Sequence, residues 1–98
     1  MKLTLTNIIK KLQNLKPFLE KYYGVDYLGV FGSFVRNEQT ATSDLDVLVT
    51  FYKIPDLFKF IEIENYLSDL MGVKVDLVTK DTLKPRIGKQ ILSEVIPI

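Results

Sequence analysis

Between positions 27 and 51 the chain reads YLGVFGSFVRNEQTATSDLDVLVTF, two short apolar runs set apart by a glycine–serine turn and a polar stretch. The first run (Tyr27, Leu28, Gly29, Val30, Phe31) stops at Gly32-Ser33, and the second (Val47, Leu48, Val49, Thr50, Phe51) begins directly after Asp44-Leu45-Asp46. Runs of this length and composition predict two strands. Side chains two apart on a strand share a face, so Asp44 and Asp46 are expected side by side at the entrance of the second strand. Two carboxylates held that close repel each other unless something positive stands between them. Residues 34–37 then read as a short helical start and 38–43 as a polar loop.

A divalent cation is the usual answer to that repulsion, and hard oxygen donors favour magnesium or manganese over zinc. Gly32 lets backbone approach a phosphate closely, and Ser33 at a strand-to-helix turn offers both N–H and hydroxyl to an anion. A third carboxylate, Asp76, lies in the β-branched run 73–78. If that run pairs beside the Asp46 strand, the three acids can hold two metal ions, the arrangement that clamps attacking and leaving oxygens in phosphoryl or nucleotidyl transfer. Plainer readings stand beside these. Asp44 and Asp46 also suit turn capping. Arg36 pairs with a substrate phosphate, pairs with an acid of the site, or is a solvated residue. Ser43 orients Asp44 or simply ends the loop.

The pattern GS, ten residues, D-x-D, then a later single Asp on an apolar strand resembles the DNA polymerase β-type nucleotidyltransferase superfamily. Within it, GSFVR…SDLDVLV and the short length resemble the minimal nucleotidyltransferases. The resemblance implies the nucleotidyltransferase fold: α+β, two layers, a small mixed sheet with helices packed on one face. It implies transfer of a nucleoside monophosphate, AMP from ATP, onto a hydroxyl. Asp44 and Asp46 would hold both of two Mg2+ ions (Mn2+ being the alternative), with Asp76 on the second metal and assisting deprotonation of the acceptor. Gly32 and Ser33 would hold the triphosphate, with Arg36 and Ser43 as further nucleotide-binding positions. Minimal domains of this kind resemble the antitoxin half of toxin–antitoxin pairs with a small helical HEPN protein, so the implied acceptor is a tyrosine of that partner toxin. One departure is visible: Asn37 follows Arg36 where the family often has glycine. Asn tolerates left-handed backbone, so the turn is expected to survive.

Two other readings compete. One is a non-catalytic binding module that neutralises its partner by contact, with exposed Phe and Tyr beside the site. The other is transfer onto a small molecule or an RNA end. A net charge of +1 provides no global basic field for an extended nucleic acid, which counts against a long template. The chain has no cysteine and no histidine, which removes thiol nucleophiles, disulfides and the commonest general base. Ninety-eight residues suit one domain, residues 1–98. No apolar run approaches a membrane span or a signal peptide, so a cytoplasmic protein is expected; homo-oligomerisation is left open.

Along the chain, Thr6 is expected to cap a first helix carrying Ile8, Ile9, Leu12 and Leu15, with Pro17 starting a second segment or a kink and Gly24 stopping it. Pro55 and Asp56 suit the opening of a helix whose buried face is read as Leu57, Phe58, Ile61, Leu67, Leu70 and Met71, ending at Gly72. Leu45, Val47, Val49 and Phe51 should pack on helices, leaving the other sheet face open. Asp81 or Thr82 is expected to cap a last helix with Pro85 in its first turn and Ile87, Ile91, Leu92 and Val95 as its stripe. Gly88 inside that helix has no evident reason in the sequence. The 96–98 tail is read as an edge strand.

Overall fold

The computed structural model describes residues 3–98. Its elements run α1 (Leu5–Tyr23), β1 (Val25–Phe31), β2 (Leu45–Phe51), α2 (Leu57–Met71), β3 (Val75–Thr79), a single 3-10 turn (Lys80–Thr82), α3 (Pro85–Glu94) and β4 (Ile96–Pro97). The four strands form one mixed sheet in the order β3-β2-β1-β4. β1 pairs antiparallel with β2 and with β4, and β2 pairs parallel with β3 through the α2 crossover. This is the expected α+β architecture, and the tail does form an edge strand on β1.

One face of the sheet is sealed by α1 and α2. Ile8, Leu12 and Leu19 from α1, with Ile63, Leu67 and Met71 from α2, pack on Leu28, Val30, Leu45, Val47, Val49, Val75 and Leu77. The opposite face is not fully open. Phe31, Leu48 and Ile91 form a second small cluster there, joined by Tyr27, Val78, Leu83 and Val95. Alternation along β2 explains the division, since Val47 and Val49 point to one cluster and Leu48 to the other. α3 therefore lies over part of the face that carries the acids.

Three details of the helices differ from expectation, each for a physical reason. α1 begins earlier: Thr4, not Thr6, is the N-cap, its Oγ1 accepting from the Asn7 N–H at 3.2 Å. Leu5, partly buried against the core, draws the first turn in. The helix also runs through Pro17 as one element. An interior proline costs about 3 kcal/mol. Burial of Leu19 and partial burial of Phe18 and Tyr23 beyond it hold the last turns on the sheet, at about 1.5–3 kcal/mol for each large side chain fully buried. Gly24 then ends the helix in the left-handed region at φ 70°.

In α2 the buried face is Ile63, Leu67 and Met71, with Phe60 partly buried. Leu57, Phe58, Ile61 and Leu70 are exposed instead, Phe58 at 85%. Two polar side chains set this rotation. β3 is an edge strand, and its outward N–H groups need acceptors. Glu64 Oε2 accepts from the Leu77 N–H at 2.9 Å, and Ser68 Oγ accepts from the Val75 N–H at 2.8 Å. Turning residues 64 and 68 to that edge turns 63 and 67 into the core. Asp56 caps the helix as expected, accepting from the Lys59 N–H at 2.8 Å.

α3 has Lys84 as its N-cap with no side-chain cap bond, while Asp81 and Thr82 sit in the preceding 3-10 turn. Pro85 does open it. Its buried residues are Gly88 and Ile91, and Ile87 and Leu92 are exposed. Among the described residues no helix is long and apolar enough to cross a membrane.

Candidate active site

Asp46 and Asp76 are register partners on the parallel strands β2 and β3. Neighbouring strands lie about 4.8 Å apart, so the two side chains rise from adjacent positions of one sheet. Asp44 stands one residue before β2, fastened by the Leu45 N–H donating to the Lys74 carbonyl at 2.8 Å. Lys74 Nζ approaches Asp44 Oδ2 at 3.9 Å, an exposed pair that holds little on its own. The three acids expected from the sequence thus gather at the entrance of β2 and β3.

Their charges are felt most at Asp46. Its carboxyl is pushed up to about 6, first by burial, then by repulsion from Asp76 and Asp44, with the Arg36 guanidinium pulling the other way. Among the described residues no three acidic side chains stand converged as a ready-made metal cage. The donor chemistry nonetheless suits a hard divalent cation: all-oxygen ligands, concentrated negative charge, and Asp44 and Asp76 exposed enough to turn inward.

The glycine–serine turn is pressed against this cluster. Phe31 is the register partner of Asp46, so Gly32 emerges beside the carboxylate. Gly32 has φ +85°, and a methyl group there would overlap Asp46 Oδ2 and stand 3.0 Å from Cγ. Glycine is therefore required twice, by backbone conformation and by close approach. The residues that follow form a compact turn rather than the expected helical start. The Gly32 carbonyl accepts from the Val35 and Arg36 N–H groups at 3.1 and 3.2 Å, and the Ser33 carbonyl accepts from the Glu38 N–H at 2.9 Å. Asn37 takes φ 58°, the left-handed conformation anticipated where the family often has glycine.

Ser43 ends the loop: its Oγ accepts from the Thr40 N–H at 2.8 Å. Arg36 pairs with acids. Its Nη1 donates to both carboxylate oxygens of Glu94, at 3.1 and 3.0 Å, and its Nε lies 3.3 Å from Glu38 Oε1. Sequence reasoning misses Glu94. Its only signal is an acid at the end of an amphipathic helix, a position where negative charge is unfavourable.

Residues 12–98 match the family model of the nucleotidyltransferase domain. The chain belongs to that family. It is a nucleotidyltransferase, and its relatives agree over nearly their whole length. The protein adenylyltransferase MntA of Thermococcus cleftensis is 50% identical over 94 residues, covering 96% of this chain and 95% of that one. A solved chain provisionally named a minimal nucleotidyltransferase has a TM-score of 0.82 at 33% identity, covering 97% of this chain and 96% of that one. The fold also matches a chain of the complex between a tri-AMPylated Shewanella oneidensis HEPN toxin and an MNT antitoxin. There the TM-score is 0.65 at 18% identity, covering 94% of this chain and 68% of that one. That last likeness is one of fold.

Proposed function

We propose that this nucleotidyltransferase moves AMP from ATP onto a hydroxyl of a HEPN-type partner protein, a tyrosine, whose oxygen bonds to the α-phosphorus as pyrophosphate leaves and the hydroxyl proton is lost, and thereby acts as an antitoxin. The observation that carries the reading is the apposition of Gly32 to Asp46 and of Asp46 to Asp76. It sets the Gly32-Ser33 turn against the carboxylates, which supports a site that aligns a nucleoside triphosphate for nucleotidyl transfer.

In this reading Asp44, Asp46 and Asp76 would hold two Mg2+ ions. When bound, the metals neutralise the triphosphate and the acceptor oxygen. The chain's own part is positional. The Gly32 backbone and Ser33 hold the triphosphate tail, Arg36 adds a positive charge beside it, and Ser43, whose Oγ accepts from the Thr40 N–H, orders the loop before Asp44. Without metal Asp46 is half-buried and its carboxyl is pushed up to about 6 by burial and by its acidic neighbours, and a bound cation would relieve that repulsion and hold it ionised. The relative named as a protein adenylyltransferase supports AMP as the group and protein as the acceptor. The AMPylated HEPN toxin complex supports the partner class, through fold alone.

Contact neutralisation without chemistry is the second reading, favoured by one observation. Tyr52, Ile54, Leu57, Phe58 and Ile61 are all exposed within ten residues. They do not lie beside the acids as the sequence suggested; they follow the exit of β2, the end opposite Asp44 and Asp46. Intact-mass spectrometry of the protein encoded beside this chain, after incubation with it, Mg2+ and ATP, separates the two. An added AMP mass that disappears with Asp44→Ala/Asp46→Ala supports transfer. An unmodified partner in a stable, neutralised complex, with each nucleoside triphosphate tried, supports contact.

A further inference from the structure

Arg36 is fastened to the turn it follows, since its own N–H donates to the Gly32 carbonyl at 3.2 Å. Its side chain carries five donors in a planar fork. Nη1 is taken by both oxygens of Glu94, and Nε lies 3.3 Å from Glu38 Oε1 as an ion pair. Among the described residues Nη2 makes no hydrogen bond, which leaves one edge of the guanidinium for an outside acceptor.

The two acids differ. The Glu38 side chain is 64% exposed, on a turn residue, and holds the arginine weakly. Glu94 is 17% exposed and is the last residue of α3. Its neighbour Val95 is packed onto β1 so closely that a methyl at Gly29 would stand 2.6 Å from Val95 Cγ2. Glu94 is thus anchored by the sheet rather than by solvent. It is also badly placed for stability. It adds negative charge at the carbonyl end of a helix, which is unfavourable by about 0.3–1 kcal/mol, and it adds to the repulsion felt by Asp46. Both of its carboxylate oxygens nonetheless accept from Arg36 Nη1, a role that packing does not supply.

We infer that Glu94 is a positioning residue: it fixes the Arg36 guanidinium so that its free edge faces the triphosphate held by the Gly32-Ser33 turn. The inference rests on the nucleotide-binding reading of that turn. α3, which lies over the face that carries the acids, then serves the site, and a residue 58 positions from Arg36 sets the geometry of the phosphate subsite.

The test is calorimetric binding of the non-transferable analogue α,β-methylene-ATP with Mg2+ to four proteins: wild type, Glu94→Gln, Arg36→Ala and the double variant. Thermal unfolding of each is the control. Wild type should bind. Glu94→Gln should weaken binding about tenfold, the loss of one well-directed charged hydrogen bond, with its melting temperature kept or raised. Arg36→Ala should weaken it further, and the double variant should match Arg36→Ala, because Glu94 then has nothing to aim. Arg36→Lys, which keeps the charge but cannot grip Glu94 and present a second edge, should behave like Glu94→Gln and serves if that variant folds poorly. Unchanged binding in Glu94→Gln, or losses that add in the double variant, would overturn the inference. Wild type failing to bind the analogue would refute the nucleotide reading itself and take the inference with it.

Discussion

At its entrance β2 sets Asp46 against Gly32 and beside Asp76, with no room for even a methyl group between turn and carboxylate. At its exit, only a few residues on, the chain passes into Tyr52, Ile54, Leu57 and Phe58, all largely exposed. One end of the strand concentrates like charges in close steric register. The other leaves a run of large apolar side chains largely exposed. Each is costly to an isolated chain: repulsion at the first, unburied apolar area at the second. Exposed apolar side chains close in sequence invite a macromolecular contact, and concentrated carboxylate is the ordinary mark of a cation site. The contrast teaches that this small sheet keeps its concentrated charge and its exposed apolar side chains at opposite ends of one strand.

The largest break in that contrast should come from Gly32→Ala. The methyl group collides with Asp46, and φ +85° is strained for alanine. We expect loss of about 1–3 kcal/mol of stability and at least about a hundredfold loss of transfer, read by thermal unfolding and by product mass. Retained activity would mean that the turn does not set the site.

Asp46→Asn should abolish transfer yet leave the metal-free protein more stable at neutral pH. The sign follows from the raised carboxyl. The folded state holds that proton more tightly than the unfolded chain, whose carboxyl sits near 3.8. The group's stabilising contribution is therefore complete below about 4 and is lost as pH rises through about 6. Melting curves of the metal-free wild type should fall across that window. The fall should shrink with Mg2+ present, and the Asp46→Asn variant should lack it. A wild type that gains stability across the window would contradict the charge assignment.

Phe58→Glu addresses the exit end. It should leave the melting temperature within the shift of about 0.5 kcal/mol typical of surface changes, leave analogue binding untouched, and weaken pull-down of the partner. A loss of nucleotide binding instead would erase the separation of the two ends. The smallest effect is expected at Gly88→Ala in α3. The nearest atom to a new methyl is Leu83 Cβ at 3.4 Å, an ordinary contact, so the variant should gain about 0.5–1 kcal/mol from helix propensity.

The entrance of β2 is legible in the sequence because period-two alternation and D-x-D spacing are local signals, and Asp76 follows from one crossover. Asn37 is legible for the same reason. The rotation of α2 is not. That helix carries more apolar residues than one face can bury, and its orientation is decided by Glu64 and Ser68 reaching the bare edge of β3. Hydrogen bonds across 13 and 7 residues leave no periodic trace. Glu94 is illegible too, because its partner Arg36 lies 58 positions away. Thr4 and Thr6 can both cap, and the choice falls to Leu5 finding the core.

The most direct test of the central claim, that Asp46 and its neighbours carry nucleotidyl rather than phosphoryl transfer, uses ATP labelled at the α- or the γ-phosphate. Each is incubated with Mg2+, the partner protein and either wild type or Asp46→Asn. The account predicts label on the partner from α-labelled ATP alone, and none with the variant. Label arriving from the γ-phosphate, or α-label persisting with Asp46→Asn, would contradict it.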